Sequence, residues 1–292
     1  MTVSQSCAIC RTSSEEIFSS EILKKYIIKY FLCPNCGFLQ TENAFWLEEA
    51  YKSPINIYDT GILSRNIDLS KKTTVLLYFL FHPKGNYLDY AGGHGIFTRL
   101  MRDIGYHFLW YDPYTQNLLA RGFEYRQDKK IELITSFETF EHFPEPLVEV
   151  EKMLSISRNI LFTSLLLPEN IPDPDSWWYY GREHGQHISF YSLKTLRYIA
   201  KKYGLNLCSN HYNLHLLSEK NIDCDIFNKI VNACSQIHYK DLIGLWSYLS
   251  VFVREDIRNI LKLKKMGLFE FLRGRLLALT SLDMEYLKSE NR

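Results

Sequence analysis

Between residues 73 and 218 the apolar positions change period repeatedly along the chain. Short apolar runs, the signature of buried strands, alternate with stretches in which apolar side chains recur every three or four positions, as on one face of a helix. Thr73–Phe81 predicts a compact apolar helix, ended by His82-Pro83-Lys84-Gly85. Asn86–Ala91 predicts a buried strand that runs into a glycine turn. Ile96–Ile104 then places Phe97, Leu100, Met101 and Ile104 on one helical face. Phe108–Tyr111, Ile131–Phe137 and Asn159–Leu166 predict further strands, with a helix across Glu145–Ser155. Leu193–Tyr203 predicts a helix closed by Gly204, and Leu205–Asn210 with Asn213–Ser218 a closing strand pair. Strands that alternate with helices imply an α/β fold, a parallel sheet covered on both faces.

This pattern divides the chain into four regions. Residues 1–40 hold paired cysteines. Residues 41–72 read as a connecting or lid segment with a turn at Asp59-Thr60-Gly61. Residues 73–220 carry the α/β alternation, and residues 221–292 read as a helical C-terminal extension. Within the extension, Leu242–Val253 and the basic, apolar stretch Ile257–Leu279 read as a lid or as the interface of a homodimer, with a membrane-surface contact as the alternative.

Composition narrows the classes. A chain of 292 residues with 46% hydrophobic residues can bury one large core. A net charge of +1 lacks the electrostatic footprint of a nucleic-acid binder. The longest apolar runs fall short of the roughly 20 residues needed to cross a bilayer. The polar start, MTVSQSCAIC, lacks the apolar centre of a signal peptide, so a cytoplasmic protein is expected.

The cysteines change the picture most. Of seven, four form Cys7-Ala-Ile-Cys10 and Cys33-Pro-Asn-Cys36. Two residues between thiolates let both sulfurs face one ion, and two such pairs make a closed tetrahedral S4 set, which predicts a structural zinc knuckle. Cys208, Cys224 and Cys234 are expected as core thiols.

Asp89-Tyr-Ala-Gly92-Gly93-His-Gly95 lies between a predicted strand and a predicted helix. Glycines there let the backbone approach a ligand, and the helix start offers free N–H groups. Asp112, at the end of the next strand, is placed to accept from ribose hydroxyls. A nicotinamide dinucleotide would suit the same layout, but G-x-G-x-x-G is absent.

At these residues the sequence resembles the class I S-adenosylmethionine-dependent methyltransferases, whose first motif is an acid followed by glycines. Ala91 stands where that motif has its first glycine. The resemblance implies a Rossmann-like sheet, with S-adenosylmethionine held by Asp89, Gly92, Gly93, Gly95, Asp112, Phe137 and Glu138. With the double CxxC, YLDYAGGHGIFTRLMRDIGYHFLWYDPY and SWWYYGREHGQHISFYSLKTL, the chain looks like methyltransferases of bacterial surface-polysaccharide and deoxysugar gene clusters. A sugar or sugar-linked hydroxyl is then the implied acceptor. The gap from Asp112 to Ile131 is short for a regular third strand–helix unit.

Glu138-Thr-Phe-Glu141-His142 follows the strand bordering the cleft, and helical spacing would put its three polar residues on one face. The pattern is similar to magnesium-dependent O-methyltransferases, which implies a second metal site of Glu138, Glu141, His142 and His187. Trp177, Trp178, Tyr179 and Tyr180 are candidate sugar-stacking residues, followed by His184 and His187. His187 is the leading candidate base, assisted by Glu141, His142 or His184. C- or N-methylation of a nucleotide-linked sugar is the nearest alternative. A noncatalytic interaction module and a nucleotide-sugar oxidoreductase are rivals from other classes. For the oxidoreductase, the Tyr125–Lys129 pair has the right spacing but follows the truncated unit.

Overall fold

The computed structural model describes residues 4–52, 59–82 and 84–234. It contains two sheets. The N-terminal one is antiparallel: β1 (Ser4–Ser6), β2 (Ser13–Ile22), β3 (Tyr26–Leu32) and β4 (Leu39–Thr41) pair in sequence order. A short helix, α1 (Leu47–Ala50), leads away from it. Sequence reasoning saw only a knuckle in this region. The β2–β3 hairpin closes through Leu23 and Lys24, both with positive φ (54° and 52°), and Lys25 N–H donates to Ile22 O at 3.0 Å. Such a turn usually carries Asn or Gly. Its tip is instead held from outside, by Leu23 N–H on Arg182 O at 2.7 Å.

The second sheet carries the α/β alternation. In chain order its elements are α2 (Ile62–Leu80), β5 (Asn86–Tyr90), α3 (Ile96–Ile104), β6 (His107–Tyr111), β7 (Ile131–Ser136), α4 (Pro146–Ile156) and β8 (Asn159–Thr163). After β9 (Ser189–Phe190) come α5 (Leu193–Tyr203), β10 (Asn206–Ser209), β11 (Leu214–Ser218) and α6 (Cys224–Ala233). The strand order is β10-β11-β8-β7-β5-β6. The four strands β6, β5, β7 and β8 run parallel, and β11 and β10 close the sheet antiparallel. The expected α/β class holds. Two apolar layers cover the sheet, one around Leu88, Ile134, Phe162 and Ile199, the other around Leu77, Phe97, Leu133 and Phe227.

Two details depart from expectation and one, the return loop after β6, follows it. The helix expected at residue 73 begins at Ile62, so the boundary at residue 72 falls inside α2, whose polar first turns face the cleft. The third strand–helix unit is replaced by a return loop. Trp110 N–H donates to Phe123 O and Tyr125 N–H to Trp110 O, both at 2.8 Å, which covers the free edge of β6. Cys208 and Cys224, expected as thiols, form a disulfide that ties β10 to the first turn of α6, while Cys234 is the buried thiol expected. The stretches Leu242–Val253 and Ile257–Leu279, and with them the homodimer and membrane-surface readings, lie outside the described residues. Among the described residues, no helix is long and apolar enough to cross a membrane.

β9 does not join the α/β sheet. It pairs with β4, through Leu39 on Phe190 and Gln40 on Ser189, and so extends the N-terminal sheet to five strands. The loop before β9 carries two of the three candidate histidines, His184 and His187, so the two sheets meet at the place where the chemistry is expected.

Candidate active site

A cleft of about 460 Å³ opens at the C-terminal ends of β5 and β7. One side is the glycine loop. Ala91 sits in the left-handed region (φ 57°), which costs an L-residue roughly 1–2 kcal/mol and explains why glycine is usual there. A Cβ on Gly92 would lie 2.7 Å from Asp89 Oδ2 and 2.9 Å from Trp110 Cδ1. Gly93 (φ 53°) faces open space, the room a ligand would use. A Cβ on Gly95 (φ 86°) would meet Ala120 and Asn117 in the return loop, so Gly95 serves packing and does not line the cleft.

Asp89 is buried at the cleft wall, and accepts from Thr98 Oγ1 at 2.9 Å and Thr135 Oγ1 at 3.3 Å. Burial pushes its carboxyl up to about 7 against these hydrogen bonds. Asp112 braces the loop. Its Oδ2 accepts from Gly93 N–H at 2.9 Å, and its Oδ1 from the N–H groups of Tyr114 and Thr115 at 2.8 Å. A carboxylate offers about four acceptor positions, so one remains for a ribose hydroxyl. Phe137 lines the cleft and packs edge-on against Phe97.

The other side is the acid–histidine wall. Residues 140–142 form one 3-10 turn, too short to align Glu138 with Glu141 and His142. Glu138 precedes it with φ 54° and, while still lining the cleft, engages Thr163 and Arg65. Thr163 Oγ1 donates to its Oε1 at 2.9 Å, and its Oε2 lies 3.3 Å from Arg65 Nε. Arg65 Nη2 donates to both Asp59 oxygens at 2.7 and 2.8 Å, while its Nε makes no hydrogen bond among the described residues. Glu138 therefore leaves the expected four-residue metal set. Glu141, His142 and His187 remain, with one ligand atom of each within 4.8 Å of the others. Glu141 is buried, its Oε2 has no hydrogen-bond partner, and burial followed by the nearby Glu138 pushes its carboxyl up to about 8.

Hydrogen bonds separate the three histidines. His187 Nδ1 lies 2.6 Å from the Tyr179 carbonyl, which can only accept, so Nδ1 carries the hydrogen and Nε2 keeps its lone pair. His142 Nδ1 shares its hydrogen between Gln186 O at 3.1 Å and Tyr51 Oη at 2.8 Å, which likewise frees Nε2. Burial holds His187 well below the usual imidazole range and His142 at about 4. His184 differs. Its Nδ1 accepts from Gln186 N–H at 3.1 Å, so its neutral ring presents an N–H and not a base. Of the three expected assisting groups, His184 is thus a donor.

Of the four aromatic residues, only Trp178 and Tyr179 line the cleft. Trp178 is 74% exposed at its mouth. Tyr180 is a core residue whose hydroxyl donates to Pro172 O at 2.9 Å, and Trp177 packs edge-on against it. The turn at 178–180 sends Trp177 and Tyr180 into the core and Trp178 and Tyr179 to the cleft, a split that four adjacent aromatic letters cannot convey.

Sequence reasoning missed the residues that hold this wall. Trp46 Nε1 donates to Gly185 O at 2.7 Å, Gln186 Nε2 to Ala50 O at 2.8 Å, and Thr41 N–H to Ile188 O at 3.1 Å. Each bond ties the loop before β9 to β4 or to the segment around α1. Arg65, Asp59 and Tyr51 were passed over because they fell in a segment read as a connector.

The four N-terminal cysteines converge as expected. Cys7 and Cys36 sulfurs lie 3.5 Å apart, Cys10 and Cys33 sulfurs 3.3 Å, and one sulfur of each lies within 4.8 Å of the rest. A tetrahedral zinc–thiolate site has sulfur–sulfur edges of about 3.8 Å, so a small outward movement accommodates the ion. The knuckle packs on α5: Thr195 Oγ1 donates to Cys36 O at 2.9 Å and Lys194 Nζ to Pro34 O at 2.9 Å.

A family model described as "Methyltransferase domain" matches residues 65–210. The chain belongs to the methyltransferase family. The match runs from the first turn of the cleft-lining helix α2 to the end of β10, and the domain is of the class I, S-adenosylmethionine-dependent type. None of the curated proteins matches the chain. Solved structures similar to it include OxaC in complex with sinefungin and meleagrin, at 19% identity over 46% of this chain and 43% of OxaC, with a TM-score of 0.34. TnmH is 12% identical over 60% of this chain and 61% of its own, with a TM-score of 0.42. Magnesium protoporphyrin IX methyltransferase from Synechocystis PCC 6803, with bound SAM, is 12% identical over 58% of this chain and 88% of its own, with a TM-score of 0.34. The chain spans less than half the length of OxaC.

Proposed function

We propose that this methyltransferase moves the methyl group of S-adenosylmethionine to a hydroxyl of a sugar or sugar-linked acceptor in polysaccharide or glycoconjugate biosynthesis. The observation that carries the reading is His187, a neutral imidazole with its Nε2 lone pair free at the cleft wall, beside the unpartnered oxygen of Glu141. Bound S-adenosylmethionine supplies an electrophilic methyl carbon. Asp89 and the glycine loop would seat it, with Phe137 against it and Asp112 reaching the ribose. The acceptor hydroxyl attacks in line as the carbon–sulfur bond breaks, the bonding pair stays on sulfur, and the hydroxyl proton passes to His187 Nε2. Trp178 and Tyr179 flank the acceptor, whose ring stacks on the exposed indole.

A second reading is favoured by the grouping of Glu141, His142 and His187. The carbonyls of Tyr179 and Gln186 orient both imidazoles with Nε2 available, as second partners do around metal ligands. A divalent ion such as magnesium there would lower the pKa of the acceptor hydroxyl. Two imidazoles in the set suit the later transition ions better than magnesium. The N-terminal S4 set fits structural zinc, held by Cys7, Cys10, Cys33 and Cys36.

Incubation with labelled S-adenosylmethionine and candidate glycans, followed by mass spectrometry, tests the function. In the base mechanism His187→Ala loses roughly two to four orders of magnitude in turnover and EDTA has no effect. In the metal mechanism EDTA abolishes turnover, manganese or magnesium restores it, and Glu141→Ala matches His187→Ala. Failure to bind S-adenosylhomocysteine would leave a noncatalytic module.

A further inference from the structure

Arg65 is held in the cleft wall with a hydrogen-bond donor unspent. It stands in the first turn of α2, and its guanidinium folds back over the start of that helix, where a Cβ on Gly61 would lie 2.9 Å from Nη1. Asp59 fixes it there, both carboxylate oxygens accepting from Nη2 at 2.7 and 2.8 Å. Nε is buried and makes no hydrogen bond among the described residues. Glu138 Oε2 lies 3.3 Å away but takes no hydrogen bond from it, and the other Glu138 oxygen is held by Thr163. A buried N–H on a charged group is costly to leave without an acceptor, so the position calls for an anion from whatever fills the cleft.

The strand order decides which end of the cofactor arrives there. β5 lies between β6 and β7. In the reading above Asp112, after β6, takes the ribose, and it holds Gly93 N–H of the glycine loop at 2.9 Å. A cofactor with its ribose on Asp112 crosses the loop after β5, over the open face of Gly93, and its amino-acid end emerges on the β7 side. Arg65 stands on that side. Phe97, in the first turn of α3, packs edge-on against Phe137, and Glu138 follows Phe137 and lies beside Arg65. Leu69, one turn after Arg65, shares the apolar layer of Phe97. The amino-acid end carries a carboxylate, the anion that the buried Nε lacks. It also carries an ammonium, which gives Glu138 something to face when it yields Nε. Burial pushes the carboxyls of Asp89 and Glu141 up toward neutrality, so they oppose an arriving carboxylate less than ionised groups would.

We propose that Arg65 Nε donates to the carboxylate of S-adenosylmethionine, with Asp59 positioning the guanidinium, and that this bond makes the amino-acid end, and not the nucleoside alone, decide which sulfonium the protein accepts. This rests on the methyltransferase reading above and deepens it. The cofactor it excludes is decarboxylated S-adenosylmethionine, which presents the same methyl group and the same nucleoside with only an ammonium at this end.

The test crosses the ligand with the residue. Calorimetry in EDTA compares S-adenosylhomocysteine with its decarboxylated counterpart, S-adenosyl-3-thiopropylamine, on the native chain and on Arg65→Gln. The native chain is expected to bind the decarboxylated ligand roughly 10- to 100-fold more weakly, the usual size for a hydrogen bond to a charged group. Arg65→Gln should bind the two nearly alike, because the donor that tells them apart is gone. The ratio is read within one variant, so a general loss of stability does not imitate the result. If Arg65→Gln binds neither ligand, Asp59→Ala decides: it keeps the guanidinium but loosens it, and the ratio should shrink. An unchanged ratio in the deciding variant overturns the proposal. So does a native chain that binds both ligands equally, an outcome that would leave Nε for an acidic acceptor. The two failures stay apart: a native chain that binds neither ligand sinks the methyltransferase reading and this proposal with it, whereas binding without discrimination sinks only the role of Arg65.

Discussion

The two sides of the cleft are built differently. The glycine-loop side stands on one sheet, where Asp89, Gly92, Gly93 and the brace Asp112 all fall within the β5–α3–β6 unit or directly after it. The histidine side is assembled across two sheets. His142 follows β7, His187 precedes β9, and the bonds that fix their loop come from Leu23, Thr41, Trp46, Ala50 and Tyr51. A site made by one supersecondary unit depends on local backbone geometry. A site made between sheets depends on whether both sheets are folded and docked.

The comparison can be broken first on the glycine side. Gly93→Val should abolish S-adenosylmethionine binding, a loss of two orders of magnitude or more in affinity by calorimetry. The valine side chain would enter the open space at a residue with φ 53°. The histidine wall should remain intact, with an unchanged melting temperature within a few degrees.

Next in size is the opposite disturbance. Cys33→Ser, or removal of zinc by a strong chelator, should lower the melting temperature by about ten degrees, because metal binding is coupled to folding of the N-terminal sheet. The β4–β9 pairing then fails, and hydrogen exchange should rise at residues 184–191 before it rises in β5 or β7. Cofactor affinity should change little. Uniform loss of protection across both sheets would mean that the two sides are not separable.

Acidity tests the buried groups. His142 and His215 are held at about 4 by burial, so the stability gained by keeping them neutral is present above about pH 6.5 and lost as pH falls toward 4. Asp89 and Glu141 are pushed up to about 7 and about 8, so their contribution is full below about pH 4 and lost as pH rises through those values. The melting temperature of the free protein should therefore peak near pH 6. Glu141→Gln should flatten the alkaline limb, and an unchanged limb would remove Glu141 from the account.

The smallest effect is expected at Tyr51. Its hydroxyl meets His142 Nδ1 at 2.8 Å, but Gln186 O shares the same hydrogen. Tyr51→Phe should cost only a few-fold in turnover, with cofactor affinity unchanged. A loss as large as that of His187→Ala would place Tyr51 in the chemistry itself.

Much of the α/β half was legible because its signals are local. The helix limits Ile96–Ile104 and Leu193–Tyr203 match those read from periodicity and Gly204. The CxxC spacing brought four sulfurs together for the same reason, since each pair needs only one tight turn. The hairpin of β2 and β3 went unread, although Tyr26–Leu32 is rich in strand formers, because its turn holds Leu23 and Lys24 where turn residues are expected. Docking on Arg182 offsets that cost, and docking leaves no local trace.

The sequence by itself determined that the sheet has a parallel part, the glycine loop and the sulfur cluster, since strand period, turn chemistry and ligand spacing are properties of a few adjacent residues. Only the tertiary structure decided that Glu138 turns to Arg65, that His184 presents a hydrogen while His187 presents a lone pair, and that β9 belongs to the N-terminal sheet. Those outcomes depend on which carbonyl, guanidinium or strand edge arrives from far along the chain, which no run of adjacent residues specifies.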